Sequence, residues 1–345
     1  MTTDKDLGKS SRALVLASRP SGRVTMGNFS WRESRLSPPQ EGEVVVETLY
    51  LSVDPTNRIW MSDRPAYMPP VAIGEVMRAA GLGRILESRS PSLAKGDIVV
   101  GLLGWQDVQV SNGSALQRLD LIPDVPLSLY LGPLGMTGLT AWFGMNEIGH
   151  PGRGDTVVVS AAAGAVGSIA GQLARLAGAR VVGIAGADDK CAWLRGTAGF
   201  DEAINYRNHT PETLAQALDA ACPRGIDVYF ENVGGWILEA VLPRLNKGAR
   251  IPLCGLISQY NETEAVHGPL GFEQILMKSV TLRGFIVTDF MGQFREALSQ
   301  LAPLVLGGKI RYQETVLEGG LTRMVDAVNM LFDGRNQGKL LVRIQ

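Results

Sequence analysis

Residues 156–186 read TVVVSAAAGAVGSIAGQLARLAGARVVGIAG, and this stretch decides the fold of the chain. The β-branched run TVVV predicts a strand, the small residues after it predict a tight turn, and the apolar residues that follow at helical spacing predict a helix. A second β-branched run, VVGI, predicts another strand, and Gly178 stands where a glycine ends a helix. The stretch therefore predicts one right-handed βαβ unit.

The turn of this unit carries the spacing of a dinucleotide site, with Ala162, Gly164 and Gly167 in place of three glycines. Such a turn lets the backbone approach a pyrophosphate, and the helix N-terminus offers N–H groups to its negative charge. Similar turns occur in α/β proteins that bind nothing, but here a predicted strand precedes the turn and a predicted helix follows it. We therefore predict a dinucleotide site.

The end of the second strand indicates which nucleotide is bound. An NAD site usually has an acidic residue there for the ribose 2′-hydroxyl, whereas an NADP site supplies a cation for the 2′-phosphate. This strand ends at Gly186 without a carboxylate, and Lys190 follows one helical turn later, which favours NADP. Asp188 and Asp189 fall where they can begin the next helix, because carboxylates are favourable near a helix N-terminus. The alternative is that Lys190 is an ordinary solvated lysine.

Length and composition limit the class of protein. A chain of 345 residues predicts two domains, and 45% hydrophobic and 19% charged residues with a net charge of −1 give no reason to expect nucleic acid or a membrane surface as a partner. The apolar stretch at 156–174 is rich in Gly, Ala and Ser, and the chain has no second such run, which argues against a membrane span. The charged start, MTTDKDLGKSSR, predicts a disordered lead-in and a cytoplasmic protein.

The cysteines and histidines are scattered and show no zinc-binding spacing. They are Cys191, Cys222, Cys254, His150, His209 and His267. We predict reduced thiols and no bound metal. No Gly-x-Ser-x-Gly or HExxH motif occurs, so a hydrolase is not supported.

The two halves of the chain differ in pattern. Between residues 11 and 130, short β-rich runs broken by Gly and Asp predict a mainly β barrel domain, with connections at 19–40 and a proline-rich irregular loop at 54–71. From residue 134 onward helix and strand alternate, which predicts an α/β domain with a doubly wound parallel sheet.

Several motifs spread along nearly the whole chain carry a resemblance to a known family: AAAGAVGS, GFDEAINY, DVYFENVGG, CGLISQYN, RGFIV and NQGKLLVRI. The chain resembles the zinc-independent, NADPH-dependent double-bond reductases of the medium-chain dehydrogenase/reductase superfamily, which include prostaglandin, alkenal and bacterial curcumin reductases. The resemblance implies a GroES-like substrate domain at 1–132, a Rossmann NADP-binding domain at 133–304 and a return segment at 305–345. It also implies reduction of the C=C bond of α,β-unsaturated ketones or aldehydes with hydride from NADPH, without a metal, by a homodimer.

The resemblance also implies the site residues. The cofactor-binding set would be Ala162, Gly164, Ala165, Val166, Gly167, Gly186, Lys190, Tyr206, Asn232, Cys254, Tyr260, Phe285 and Asn336. Residues 164–167 would bind the pyrophosphate, and Lys190 and Tyr206 the 2′-phosphate. Tyr260 matches a tyrosine that reaches the nicotinamide ribose and the substrate carbonyl, and Tyr67 matches a substrate-side tyrosine.

One departure from the family pattern lies near Tyr67. The family usually has Tyr and Met where this chain has Thr56 and Asn57, so the neighbouring wall of the pocket has changed. Hydride addition to an enone leaves an enolate, and a phenol such as that of Tyr260 can donate to the developing oxyanion. The alternative for Tyr260 is a tyrosine that covers the core with a solvated hydroxyl. Two other functions stay open: an NADPH:quinone oxidoreductase and a non-catalytic NADPH-binding protein.

Overall fold

The structure, a computed structural model, describes residues 10–64 and 66–345. The first nine residues of the predicted disordered lead-in lie outside the described residues. The strands are β1 (Ser10–Leu16), β2 (Phe29–Arg35), β3 (Val44–Val53), β4 (Ala80–Ser88), β5 (Ile98–Leu102), β6 (Val108–Ser111), β7 (Leu116–Arg118), β8 (Thr156–Val159), β9 (Arg180–Ala185), β10 (Glu202–Asn205), β11 (Ile226–Phe230), β12 (Leu245–Leu253), β13 (Thr281–Gly284), β14 (Glu314–Leu317) and β15 (Lys339–Arg343). The helices are α1 (Thr56–Trp60), α2 (Met136–Gly144), α3 (Gly167–Leu176), α4 (Asp188–Gly196), α5 (Pro211–Ala221), α6 (Gly235–Val241), α7 (Glu273–Met277), α8 (Phe294–Leu306) and α9 (Met324–Asp333).

The chain forms two compact units. The first contains the described residues up to 131 together with 315–335 and 340–345, and the second contains 132–314 and 336–339. The predicted return segment, 305–345, is therefore divided between them. Two contacts within the second unit show why: Arg311 N donates to Gln172 Oε1 at 2.7 Å, and Gly338 N donates to Ala163 O at 3.1 Å.

The first unit is mainly β, as predicted. Its larger sheet has the order β14-β15-β3-β4-β5-β7, with β6 also paired to β3, and β1 pairs with β2 in a separate antiparallel ladder. The sequence predicted a connection over residues 19–40, and this prediction was wrong for Phe29–Arg35, which form strand β2. Only Phe29 of that strand is buried, so the strand lacks an alternating apolar pattern and depends on its pairing with β1. Likewise, α1 lies inside the loop predicted to be irregular.

The second unit confirms the doubly wound parallel sheet. Its strand order is β10-β9-β8-β11-β12-β13, and each pairing in it is parallel. The residues of β8 from Val157 to Val159 are 0% exposed, as expected for a parallel strand covered on both faces. The strand order reverses between β8 and β11, and ligands of such folds bind at the carboxyl ends of the strands at this switch point.

The central βαβ unit also forms as predicted. Strand β8, helix α3 and strand β9 follow one another, and Gly178 has φ of +91°, the left-handed conformation in which glycine ends helices. Across residues 10–64 and 66–345, none of the helices combines the length and apolar character needed to cross a membrane.

Candidate functional site

The turn between β8 and α3 requires its glycine at 167. A Cβ atom built on Gly167 would lie 2.5 Å from the carbonyl oxygen of Ala161, a separation that real side chains do not reach. The turn is also fixed to the next strand, because Ala162 N donates to Ile184 O at 3.0 Å. Helix α3 starts directly after this turn. Ser168 N and Ile169 N donate to Gly164 O and Val166 O, and the positive end of the helix dipole favours a phosphate at this end. The turn thus brings Gly164, Ala165, Val166 and Gly167 to the switch point.

The residues at 336–339 lie beside this turn. Gly338 pairs with Gly164 in a parallel bridge and has φ of +60°. A Cβ atom at Gly338 would lie 1.9 Å from the carbonyl oxygen of Gln313, so no larger residue can occupy this position. Asn336 is 9% exposed and donates from Nδ2 to Gly338 O at 3.0 Å. The structure therefore places Asn336 next to the predicted pyrophosphate turn.

The predicted 2′-phosphate residues meet at the ends of β9 and β10. Tyr206 packs directly on Gly186, since a Cβ atom built on this glycine would lie 2.9 Å from Cε1 of the tyrosine ring. The same ring contacts Trp236 edge-on, at 6.0 Å between ring centroids. Gly186 is therefore required by the close approach of Tyr206.

Lys190 lies in the same region with a second cation. Burial lowers the pKa of Lys190, Asp189 raises it, and the Arg207 guanidinium lowers it further. Arg207 was missed in the sequence, although its position directly after Tyr206 is a signal that could have found it. Two neighbouring cations repel one another and favour a doubly charged anion between them.

The two aspartates at the start of α4 have polar partners. Asp188 accepts hydrogen bonds from Nδ2 of Asn205 at 2.7 Å and of Asn208 at 3.2 Å. Asp189 accepts from Gln337 Nε2 at 2.7 Å. As predicted, α4 begins at Asp188, so these carboxylates lie in its first turn.

Asn232 lies at the carboxyl end of β11, across the switch point from the turn. Its backbone N donates to Ser160 Oγ at 2.8 Å, and its Nδ2 donates to Ser160 O at 2.7 Å. The neighbouring Glu231 is fully buried and was missed in the sequence, because no pattern distinguishes a buried glutamate from an exposed one at a strand end.

Cys254 and Tyr260 follow β12. Cys254 N donates to Glu231 O at 2.9 Å, and burial raises the pKa of the Cys254 thiol to about 12, so the thiol stays protonated. The Tyr260 hydroxyl accepts a hydrogen bond from Leu256 N at 2.9 Å, which fixes the ring against the loop after the strand.

Phe285 occupies a different environment. Its ring contacts Phe230 and Phe290 edge-on, with both centroid separations at 6.4 Å. It belongs to an aromatic cluster at the end of β13, and its contact with the cofactor stays a prediction.

Tyr67 lies in the first unit, where its hydroxyl forms a hydrogen bond with the Thr56 hydroxyl. The side chain is 47% exposed, yet the desolvation of the hydroxyl raises its pKa, which the Thr56 hydrogen bond partly offsets. Asn57 is 1% exposed, accepts from Asp54 N at 2.8 Å and donates to Arg78 O at 3.1 Å. Of the two departures from the family pattern, Thr56 therefore contacts Tyr67, whereas Asn57 is a structural residue of the loop.

The described part of the chain contains no group of three His, Cys, Asp or Glu side chains that could hold a metal ion. Cys191 and Cys222 are buried free thiols.

Comparison with known proteins agrees with this architecture. Residues 12–119 match the family described as the N-terminal domain of oxidoreductase, and residues 165–303 match the family described as zinc-binding dehydrogenase. The NADPH-dependent curcumin reductase of Escherichia coli (strain K12) is 43% identical over 339 residues, which cover 97% of each chain. Prostaglandin reductase 1 of Bos taurus is 42% identical over 325 residues, which cover 93% of this chain and 95% of that protein.

A solved structure is equally similar. The crystal structure of CurA in complex with NADPH from Vibrio vulnificus superposes with a TM-score of 0.90 at 42% identity, covering 97% of this chain and 99% of that one. A doubly wound parallel sheet with a glycine turn at its switch point, joined to a mainly β unit, defines a medium-chain dehydrogenase/reductase. Within that class, the chain belongs to the NADPH-dependent double-bond reductases, the family that its motifs predicted.

Proposed function

We propose that this protein is an NADPH-dependent ene-reductase that reduces the C=C bond of α,β-unsaturated ketones or aldehydes without a metal. The observation that carries the proposal is that the glycine turn and the cations Lys190 and Arg207 lie on the same six-stranded sheet. Relatives of this chain that are reductases act on such compounds. Bound NADPH supplies a hydride for the β-carbon of the substrate. The protein supplies binding, orientation and a donor for the oxyanion that develops.

The cofactor would bind along the carboxyl edge of the six-stranded sheet. We assign the pyrophosphate to residues 164–167 and the N-terminus of α3, and the 2′-phosphate to Lys190, Tyr206 and Arg207. Ala162 would keep the turn compact, and Gly186 would let the Tyr206 ring pack beside the 2′-phosphate site. The remaining predicted contacts, further along the edge, are Asn232, Cys254, Tyr260, Phe285 and Asn336.

Tyr260 is assigned to the carbonyl oxygen of the substrate. Its oxygen accepts from Leu256 N, and a phenol is both an acceptor and a donor of hydrogen bonds. That proton stabilises negative charge on the enolate oxygen, and water then protonates the α-carbon. Tyr67 is assigned to the substrate side of the first unit, where its raised pKa keeps the hydroxyl protonated at physiological pH.

The decisive experiment follows NADPH absorbance with a short alkenone, a long alkenal, a curcuminoid and a simple quinone, each repeated with NADH. We expect consumption with the enones and a saturated carbonyl product. Faster loss of the quinone than of any enone would instead identify a quinone oxidoreductase. Binding of NADPH without turnover would identify a non-catalytic NADPH-binding protein, since a ligand raises thermal stability without any reaction.

We propose a second copy of this chain as the macromolecular partner. Strand β13 lies at the edge of the six-stranded sheet, and an exposed edge can pair with another chain. Exposed apolar side chains lie just before this strand: Leu270, Phe272, Leu276 and Met277, at 68%, 56%, 76% and 69% exposure. Leu276→Glu should therefore convert a dimer into a monomer in light scattering, while Leu176→Glu, another exposed leucine, should leave the mass unchanged. A monomeric wild type would contradict this proposal.

We further place the protein in the cytoplasm. Its three cysteines are free thiols, as expected in a reducing compartment. Fractionation of cells that express the tagged chain tests this directly, and recovery in a membrane or extracellular fraction would contradict it.

A further inference from the structure

A cluster of buried polar groups lies beneath the switch point of the six-stranded sheet. Ser160, Tyr229 and Glu231 are each 0% exposed, and they lie at the carboxyl ends of the neighbouring strands β8 and β11. Burial of a carboxyl or hydroxyl group inside a sheet is unfavourable unless the group forms hydrogen bonds. A cluster of this kind at the ligand-binding edge therefore calls for a functional reason.

The side-chain hydrogen bonds of Ser160 and Glu231 lead mainly to the segment after β11. Ser160 Oγ donates to Glu231 Oε1 at 2.7 Å and accepts from Asn232 N at 2.8 Å. The same Glu231 Oε1 accepts from Val233 N at 2.5 Å. The serine and the glutamate thus fix two successive backbone N–H groups at the point where the strand ends.

The side chain of Asn232 is oriented by the same serine. Its Nδ2 donates to Ser160 O at 2.7 Å, so the amide plane is fixed and its oxygen points away from the serine carbonyl. Asn232 stands at the carboxyl end of β11, next to the switch point at which a dinucleotide binds. Loss of the Ser160 hydroxyl would leave the backbone N–H of Asn232 without its acceptor, and loss of the Glu231 carboxyl would release both Val233 N and the Ser160 hydroxyl. The side chain of Asn232, which is bound to the main-chain carbonyl of Ser160, would then move only with the backbone.

We propose that Ser160 and Glu231 are positioning residues for the cofactor, which act through Asn232 and the backbone of Val233. This inference rests on the proposed function, because it assumes that Asn232 contacts the bound NADPH. Neither residue touches the reacting atoms. Their contribution is to order the end of β11 before the cofactor arrives, so that less ordering is needed on binding.

The state of the Glu231 carboxyl decides which substitution preserves the arrangement. Oε2 is buried and has no hydrogen-bond partner within the described residues, so a negative charge on this carboxyl would be compensated mainly at Oε1. Burial raises the pKa of Glu231, although hydrogen bonds from Val233, Ser160, Gly234 and Tyr229 oppose the shift. A neutral carboxylic acid and a glutamine amide both present an acceptor oxygen, so Glu231→Gln should preserve the positioning.

The chain offers a matched control at the opposite edge of the same two strands. Asp227 Oδ2 accepts from Thr156 N at 2.8 Å, and Asp227 Oδ1 accepts from Asn246 Nδ2 at 2.8 Å. This carboxylate also joins β11 to β8, but at the amino end of the sheet, away from the switch point. Asp227→Ala should therefore lower the melting temperature without affecting cofactor binding.

The test measures the dissociation constant for NADPH by fluorescence titration, together with the melting temperature of each variant. We expect Glu231→Ala and Ser160→Ala to weaken NADPH binding about tenfold, the factor for loss of a well-placed hydrogen bond. Glu231→Gln should remain within about twofold of the wild type, as should Asp227→Ala. In steady state, the KM for NADPH should rise more than kcat falls in both alanine variants.

The inference is overturned if Glu231→Ala binds NADPH as tightly as Asp227→Ala, or if Glu231→Gln is as weak as Glu231→Ala. If Glu231→Ala does not fold, Ser160→Ala decides alone, and wild-type affinity in that variant overturns the inference. A wild type that does not bind NADPH refutes the proposed function itself. A wild type that binds NADPH but reduces no enone refutes only the proposed reaction and leaves the positioning test intact.

Discussion

The hydroxyl groups of Thr56 and Tyr67 are hydrogen-bonded to each other. Thr56 is the first residue of α1, whereas Tyr67 belongs to the irregular chain that follows, so the contact ties an exposed tyrosine to a short helix. The departure of this chain from its family at position 56 thus has a structural consequence, because the threonine is the partner of the proposed substrate-side tyrosine.

Thr56→Val removes this partner while the shape of the side chain is preserved. Because Tyr67 then loses a fixed orientation, kcat/KM for an enone should fall roughly three- to tenfold, while the KM for NADPH stays unchanged. Thr56→Ser retains the hydroxyl and is the matched control. Steady-state kinetics of both variants check this, and equal kinetics in Thr56→Val and the wild type would leave the contact without a functional role.

Lys190→Ala and Arg207→Ala should each raise the KM for NADPH by roughly 10- to 100-fold, the effect of removing a charged partner from a phosphate. The KM for NADH, which lacks the 2′-phosphate, should change little. Kinetics with both cofactors check this. A similar increase for NADPH and NADH would refute the phosphate role. As a control, Lys247→Ala removes a lysine from the exposed part of β12 and should affect neither cofactor.

Tyr260→Phe separates the proposed chemistry of the phenol from its packing. The variant loses the hydrogen bond from Leu256 N, so the free energy of unfolding should fall by about 1 kcal/mol. If the hydroxyl also donates to the enolate oxygen, kcat at saturating NADPH should fall by roughly 10- to 100-fold. Both quantities must be measured on the same preparation. A loss of stability with unchanged kcat would show that Tyr260 only packs against its loop.

The stability of Glu231→Gln should depend on pH differently from that of the wild type. The folded pKa of Glu231 is raised above the unfolded value of about 4.3, so between these two values the folded protein keeps a proton that the unfolded chain releases. The free energy of unfolding of the wild type therefore falls as pH rises through this window. The free energy of unfolding of Glu231→Gln does not fall for this reason, because glutamine does not titrate. Melting temperatures between pH 4 and pH 8 should diverge in favour of Glu231→Gln, and parallel curves would contradict a raised pKa.

Gly167→Ala tests the close approach in the pyrophosphate turn. The added methyl group would meet the Ala161 carbonyl oxygen, so the turn must shift, and the free energy of unfolding should fall by more than about 1 kcal/mol. NADPH binding should weaken as well, because the same backbone contacts the pyrophosphate in our proposal. Gly196→Ala is the control: a Cβ at that end of α4 meets nothing within 4 Å. Equal melting temperatures for the two variants would contradict the steric argument.

The parts of the fold that could be predicted are those whose residues interact with near neighbours in the chain. The strand, turn and helix at 156–186 formed as predicted because β-branched runs, small turn residues and apolar spacing each act locally. The helix at Pro211–Ala221 is another such case, since Thr210 caps its first turn. By contrast, β2 could not be predicted, because six of its seven residues are exposed and only the ladder with β1 makes it a strand.

The sequence by itself determined the class of this protein: a doubly wound sheet with a dinucleotide turn, a mainly β unit and membership of the double-bond reductases. Periodicity, glycine spacing and short motifs are local properties, and these suffice for that level of description. Tertiary structure alone decided that Arg207 lies near enough to Lys190 to lower its pKa, that Thr56 contacts Tyr67 and that Glu231 is buried against Ser160. Each of these pairs joins residues separated by at least ten positions. Whether such side chains meet depends on strand register and loop path, which no local pattern encodes.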